Sequence, residues 1–401
     1  MIKYRHQRAT STSVQRQERN KIMSKRLISL DWLRGADMVL LTLIGPIAWG
    51  VHETWHLPAG LMRQFTHEWG SLYLWDLIMP LFIFICGAAV PLSLARRLGP
   101  GGKPGLDYWK HALGRVAMLW FFGLIVQGNL LQLDLKTLYP YSNTLQAIAA
   151  GYFIAALASP VRSRKIRFAL PFVLAAAYSL PLAWCGDYSM EGNFAHRFEM
   201  WVLRALLPCG SKLLEQGTWG YTLCWSTLRF GAMTLAGAAS TEMLLDGRWS
   251  ARRRTATLAL SGAGCVALGW ALVPAVPAVK HIYTASCTAL ATGCSMLLYA
   301  GLYYVYDVCG FRRFMALPML FGRCALAAYM VNNVFYGLLD AAGETVALKT
   351  GRIDAEELPF YRSLVHAALL VFVVWAWNRI CRGHSDNTQM SRKACPRPTD
   401  P

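Results

Sequence analysis

Long apolar stretches separated by short polar connections fill the sequence from residue 36 to residue 381. A helix that crosses roughly 30 Å of hydrocarbon needs about 20 apolar residues, and the stretches have about that length. The pattern therefore predicts an all-α, polytopic membrane bundle of about ten transmembrane helices. The predicted spans are 36–51, 73–95, 112–131, 142–160, 167–185, 221–244, 255–274, 284–305, 315–338 and 363–381.

Two polar, basic segments flank the predicted membrane domain, which covers residues 27–382. Residues 1–26 lack the apolar run of a cleavable signal peptide. Residues 383–401 are also polar. We expect both segments to be disordered and cytoplasmic.

Composition and charge agree with a membrane location. The chain has 401 residues, of which 55% are hydrophobic and 15% charged, whereas soluble domains average about 25% charged residues. A net charge of +18 would also suit nucleic-acid binding, but the basic residues cluster in every second connection. This is the positive-inside pattern, so it argues against a nucleic-acid partner and predicts that both chain ends lie in the cytoplasm. The basic clusters lie in 5–34, 96–115, 162–167, 248–254, 312–313 and 379–397.

Several polar residues share the outer ends of the predicted helices. They are Asp76, Gln127, Asn129, Asn143, Gln146, Lys280, His281, Asn332 and Asn333. Polar groups are costly in lipid, so they face a bundle interior or a water-filled cavity. The shared depth favours a polar cavity open to the outside, and the alternative is that each group bonds to a neighbouring helix.

One histidine and one carboxylate stand out on the same predicted side. In FTHEWGSLYLWDLIMP, His67 precedes Asp76 by nine residues, and a turn at Gly70-Ser71 would bring them together. An imidazole oriented by a carboxylate suits general-base or nucleophilic chemistry. The alternative is an ordinary interfacial histidine. His52, His56 and His196 lie on the same predicted side and compete for the role.

The inner end of the first span is also polar. Asp31 and Arg34 are three residues apart and share a helix face, and Asp37 follows them. They form either an ion pair that anchors the helix or a cytoplasmic site for a phosphate-bearing donor.

The 11 cysteines show neither CxxC pairs nor metal-ligand spacing, and no metal is expected. Cys185 and Cys209 flank an outer loop, and the sequence leaves open whether they form a disulfide.

Five segments together resemble a known family. RLISLDWLRGADM resembles the opening helix motif of the heparan-alpha-glucosaminide N-acetyltransferase family, and FTHEWGSLYLWDLIMPLFIFICGAAVPLSLARR resembles its second motif. NTLQAIAAGYFIA, KHIYTAS and FGRCALAAYMVNNVF resemble later segments, in order over residues 26–335. The chain departs from the family pattern at three places: Ala147 stands for an arginine, Cys324 stands for an asparagine, and the His67–Asp76 spacing is one residue shorter.

The resemblance implies an acyltransferase that moves an acetyl group from cytoplasmic acetyl-CoA to an amino sugar or glycan across the membrane. His67 is the implied catalytic residue, with Asp76 orienting it or holding the sugar. Arg34, beside Asp31 and Asp37, is expected to bind the acetyl-CoA donor. The residues expected to bind the acceptor are Asn129, Asn143, Gln146, Lys280 and Asn332.

Other interpretations remain open at this point. A sugar or lipid-precursor transporter shares the polar cavity but predicts paired repeats, and the sequence shows no evident internal repeat. A non-catalytic membrane scaffold, or a protein that has lost activity, also fits the departures. We expect a multi-pass protein of the bacterial inner membrane, in contact with membrane lipid. Whether it is a monomer or a homodimer is left open.

Overall fold

The computed structural model describes residues 27–94, 97–99, 102–127, 136–137, 139–216, 220–334, 337, 345 and 357–394, and the regular structure in these ranges is helical. The helices are α1 (Ile28–Val39), α2 (Gly45–Trp55), α3 (Ala59–Met62), α4 (Ile78–Ser93), α5 (Leu106–Val126), α6 (Thr144–Ala158), α7 (Arg164–Cys185), α8 (Phe194–Leu206), α9 (Lys212–Gln216), α10 (Thr227–Leu244), α11 (Ala251–Leu272), α12 (Ala285–Leu302), α13 (Ala316–Arg323), α14 (Ala325–Val334) and α15 (Leu358–Ala394). Leu40–Ile44 and Tyr303–Val308 are π-helical, and Arg63–Phe65 and Leu74–Leu77 are 3₁₀-helical.

In the described part of the chain, six helical segments are long and apolar enough to cross a membrane, which indicates a membrane protein. These segments are Ile28–Trp55, Leu74–Ser93, Arg164–Cys185, Ala251–Leu272, Ala285–Val308 and Leu358–Ile380. The other four predicted spans fall on α5, α6, α10 and the pair α13–α14, which do not meet both conditions. The predicted helical fold is thus confirmed for the described residues, whereas the count of ten spans and their orientation stay predictions.

The last helix extends beyond the predicted end of the membrane domain. It continues to Ala394, past residue 382. Between Pro359 and Pro396 the sequence contains no proline, so no residue in this stretch removes a backbone donor from the helix. The predicted flanking segment 1–26 and residues 395–401 lie outside the described residues.

The chain divides into two compact units. Among the described residues, the larger unit comprises 27–30 and 66–312, and the smaller unit comprises 31–65 together with the residues after 312. The residues predicted to form the acetyl-CoA site therefore belong to the smaller unit, and His67 and Asp76 belong to the larger one.

Two glycines bring α4 and α10 into close contact in the larger unit. A Cβ atom on Gly87 would collide with the backbone of Thr234, and one on Gly237 would collide with the backbone of Phe84. Small residues let membrane helices approach this closely. Because α10 also packs against α6 and α7, it is the element on which the larger unit is assembled.

The peripheral helices of the larger unit have the opposite character. Few residues of α7 and of α11 are buried although both helices are apolar, as expected of helices that face lipid. Cys185, at the end of α7, is exposed, and so is Cys209; both are free thiols. The disulfide left open by the sequence is therefore not formed in this structure.

The first span contains a local irregularity in the smaller unit. Pro46, at the start of α2, has no N–H to donate to the carbonyl of Thr42. The π-helical stretch Leu40–Ile44 lies directly before it, and the Thr42 hydroxyl donates to the carbonyl of Met38 at 2.8 Å. Proline and hydroxyl side chains are common causes of such departures from α-helical bonding.

Candidate functional site

His67 and Asp76 lie in direct contact. Nδ1 of His67 is 2.5 Å from Oδ1 of Asp76. The chain reverses between them in a turn in which Gly70 has φ of 82° and Ser71 N–H donates to the carbonyl of Glu68 at 3.5 Å. A left-handed φ is favourable for glycine because it has no Cβ atom. The predicted approach of the two side chains is therefore confirmed, and the turn at Gly70 is its cause.

A second hydrogen bond fixes the Asp76 carboxylate. Its Oδ2 accepts from the backbone N–H of Tyr73 at 2.9 Å, which caps the 3₁₀ turn Leu74–Leu77. The side chain of Asp76 is 1% exposed, whereas that of His67 is 31% exposed. When the carboxylate accepts from Nδ1–H of a neutral His67, the lone pair lies on the Nε2 atom. The contact thus orients a partly exposed imidazole with its basic nitrogen free of Asp76.

A buried turn, Ala278–Thr284, forms another wall of the site. Its polar backbone groups find partners: Tyr178 donates its hydroxyl to the carbonyl of Ile282, and the carbonyl of His281 accepts from Thr222 N–H at 3.2 Å. Buried loops are rare because their backbone groups need such partners. The turn is therefore held in one conformation before α12 begins.

Aromatic side chains enclose His281 within this turn. Its ring stacks on Trp69 at 5.2 Å between centroids and lies 4.3 Å from the ring of Tyr221. The His67 ring lies 6.3 Å away, edge to face. Burial, followed by the charges of Lys280 and His67, lowers the pKa of His281 to about 4. His281 is consequently neutral at physiological pH.

Lys280 lies beside the same aromatic group. It is 6% exposed, and its Nζ lies 4.8 Å from the centroid of the Tyr221 ring and 3.5 Å from the Tyr221 hydroxyl. Burial lowers the pKa of Lys280 to about 8, and the negative charge of Asp76 opposes this shift. The site thus combines an oriented imidazole with a buried amine that carries a positive charge below pH 8. Cation–π contact with Tyr221 stabilises that charge.

Two of the predicted acceptor-binding residues form hydrogen bonds within the protein. Asn143 accepts from the N–H groups of Leu145 and Gln146, and Gln146 accepts from Asn143 N–H in a reciprocal capping box that begins α6. The remaining amide groups donate to the carbonyls of Gly123 and Pro140. Gln146 is fully buried. Acceptor binding by these two residues stays a prediction, whereas their hydrogen bonds give them a structural role at the start of α6.

The other predicted site residues belong to the smaller unit or lie outside the described residues. A guanidinium nitrogen of Arg34, Nη1, lies 3.7 Å from Oδ1 of Asp31 and forms an i,i+3 ion pair with it. Asp37 is 2% exposed, and neither of its carboxylate oxygens has a hydrogen-bond partner among the described residues. Asn332 contacts Nε2 of His366 at 3.2 Å through its Oδ1. Asn129 lies outside the described residues.

These features define the class of protein: a helical membrane protein in which a histidine oriented by a carboxylate lies near a buried lysine. Residues 26–146 match the model of a family described as a domain of unknown function, DUF5009. The matched segment contains both His67 and Asp76, and it covers less than half of the chain. No curated protein matches the chain significantly.

Proposed function

We propose that the protein is a transmembrane acetyltransferase that moves the acetyl group of cytoplasmic acetyl-CoA to the amine of an amino sugar or glycan on the outer side of a bacterial inner membrane. The observation that carries the proposal is the 2.5 Å contact between Nδ1 of His67 and Oδ1 of Asp76. It gives the partly exposed His67 the orientation of a catalytic base. The resemblance of the surrounding motifs supplies the reaction class.

The proposed reaction forms a C–N bond and breaks the C–S bond of the thioester. The sugar amine attacks the carbonyl carbon, its proton passes to Nε2 of His67, and the thiol of CoA leaves with a proton. In the alternative route, Nε2 attacks first and carries the acetyl group before the amine receives it. Both routes need a nitrogen lone pair at Nε2, which the Asp76 contact provides.

The positions of charges along the chain support the proposed direction across the membrane. The alternating basic connections predict a ten-span arrangement with both ends in the cytoplasm, and in this predicted arrangement the loop that carries His67 lies outside. An acetyl-CoA site at Arg34, on the cytoplasmic side of the first span, completes the proposal.

The test measures transfer from radiolabelled acetyl-CoA to glucosamine and other amino sugars by the protein purified in detergent. Wild type is expected to acetylate at least one acceptor, and His67→Ala is expected to abolish this activity. The control is His56→Ala, because His56 is an exposed histidine on the same predicted side and is expected to keep full activity. An intact wild type that transfers no acetyl group and shows no thermal shift with acetyl-CoA would refute the proposal and favour a transporter.

A further inference from the structure

The buried ammonium group of Lys280 lacks an anionic partner among the described residues. Its contacts are the ring and the hydroxyl of Tyr221, and no carboxylate in the described part of the chain lies within 4.0 Å of it. An ammonium group has three N–H donors. A 3.5 Å contact to Tyr221 uses one of them weakly, and a buried charge left in this state is costly.

The nearby carboxylate of Asp76 is already engaged. Its Oδ1 accepts from His67 at 2.5 Å, and its Oδ2 accepts from Tyr73 N–H at 2.9 Å. Asp76 acts on Lys280 through its field alone, without a direct ion pair. Among the described residues no carboxylate is left to pair with Lys280, so its ammonium is available to an anionic group of a bound molecule.

The neighbouring residue provides a second unsatisfied polar atom. His281 is 8% exposed, and its Nδ1 is buried without a hydrogen-bond partner in the part of the chain that the structure describes. Stacking on Trp69 and packing against Tyr221 hold the ring in place. A neutral imidazole with its proton on Nδ1 donates one hydrogen bond there. The adjacent buried side chains of Lys280 and His281 thus both have N–H groups available for hydrogen bonding. The ring of His281 also contacts the ring of His67.

We propose that Lys280 and His281 form an anion subsite that binds a carboxylate or phosphate substituent of the amino-sugar acceptor and holds its amine at His67. This inference rests on the proposed acetyltransferase function and narrows its acceptor to acidic amino sugars. Charge-assisted hydrogen bonds to a buried ammonium are among the stronger polar contacts. The subsite thereby selects a charged acceptor over glucosamine.

The test is calorimetric binding to the full-length protein in detergent, without acetyl-CoA. Three probes are compared: glucosamine, glucosamine 6-phosphate, and muramic acid, which is glucosamine with a lactyl carboxylate. Wild type is expected to bind at least one charged probe about tenfold more tightly than glucosamine. The phosphate and carboxylate probes distinguish the two sources of charge.

Three variants locate the effect. Lys280→Met keeps the apolar stem and removes the charge, so the preference is expected to vanish. His281→Phe keeps the ring stacking and removes Nδ1, so the preference is expected to decrease, and it tests the subsite independently if Lys280→Met fails to fold. The control Lys212→Met alters an exposed lysine elsewhere in the larger unit. It is expected to retain the full preference for a charged probe.

Three outcomes would each overturn the anion subsite. They are equal binding of charged and uncharged probes, no binding of any probe, and a preference for a charged probe that survives Lys280→Met. The transfer assay separates this outcome from the fate of the proposed function. Acetylation of glucosamine with no preference for a charged acceptor would leave the acetyltransferase and remove the subsite. Tight binding of a charged probe without transfer would leave the subsite and remove the acetyltransferase.

Discussion

The substitution Asp76→Asn tests the contact on which the proposed chemistry depends. Both carboxylate oxygens of Asp76 accept from N–H donors, one on His67 and one on the backbone of Tyr73. An asparagine replaces one acceptor with an NH₂ group, which cannot accept from either donor. If the carbonyl oxygen stays on Tyr73 N–H, the NH₂ group faces His67. Nδ1 must then become the acceptor, so the proton moves to Nε2 and the reacting lone pair is lost.

The expected cost derives from the strength of this contact. A hydrogen bond to a charged group contributes about 1.5–3 kcal/mol, and each step of about 1.4 kcal/mol corresponds to a tenfold change in rate. Asp76→Asn is therefore expected to lower kcat/KM for acetyl transfer about ten- to a hundredfold. The loss should lie in kcat, because the contact positions a reacting atom. The assay is steady-state transfer with the purified protein, together with its melting temperature.

The matched control is Glu191→Gln, because Glu191 is an exposed carboxylate elsewhere in the larger unit. It is expected to leave kcat/KM unchanged. The proposed role of Asp76 is refuted if Asp76→Asn retains wild-type kcat/KM while His67→Ala is inactive, since His67 would then act without its carboxylate. A loss confined to the melting temperature would give the contact a structural role.

Three further predictions concern packing, ion pairing and pH. Gly87→Leu is expected to destabilise the protein by about 3 kcal/mol, because the new side chain collides with the backbone of Thr234. The control Gly114→Leu, at a position with open space around it, should leave the melting temperature unchanged. Arg167→Gln breaks a bidentate ion pair with Glu242 at 2.8 and 3.0 Å and is expected to cost about 1–2 kcal/mol, part of which the double variant with Glu242→Gln should restore. Burial lowers the pKa of Lys280 to about 8 from its ordinary 10.5, so the unfolded chain binds more protons in this interval and the melting temperature of wild type should rise with pH relative to Lys280→Met between about 8 and 10.5. A pH-independent difference between these two proteins would contradict that assignment.

The apolar runs predict the helical fold because each run is long enough to bury itself in lipid without help from the rest of the chain. The same kind of local rule predicts the meeting of His67 and Asp76, since the turn at Gly70 lies between them in sequence. Counting spans is less informative at α10. Its place in the molecule depends on Gly87 and Gly237, each of which lies close to the backbone of the other helix. This close approach is a property of the two packed helices and cannot be read from either sequence segment.

Asn143 and Gln146 show that one sequence pattern can carry two interpretations. The pattern Asn143-x-x-Gln146 is a capping signature that the sequence alone displays, yet the shared outer depth of these residues favours an acceptor-binding interpretation. Their amides are in fact used at the start of α6. Conversely, the sequence position of Tyr221 fits an interfacial aromatic belt. Its contacts with Lys280 and His281 join residues about 60 positions apart, and no local pattern predicts such a contact.

The difference in burial between Asp76 and His67 bears on whether their contact is only structural. A carboxylate that is 1% exposed needs donors to offset its desolvation, and an anchoring role would be met by any donor. A backbone N–H from Tyr73 already provides one. The second donor comes from an imidazole that remains 31% exposed, so one ring nitrogen is fixed in the interior while the ring itself reaches the surface. Asp76 thus fixes Nδ1 of His67 and leaves Nε2 free of this contact, which is the arrangement that a proton-accepting or acetyl-carrying histidine would require.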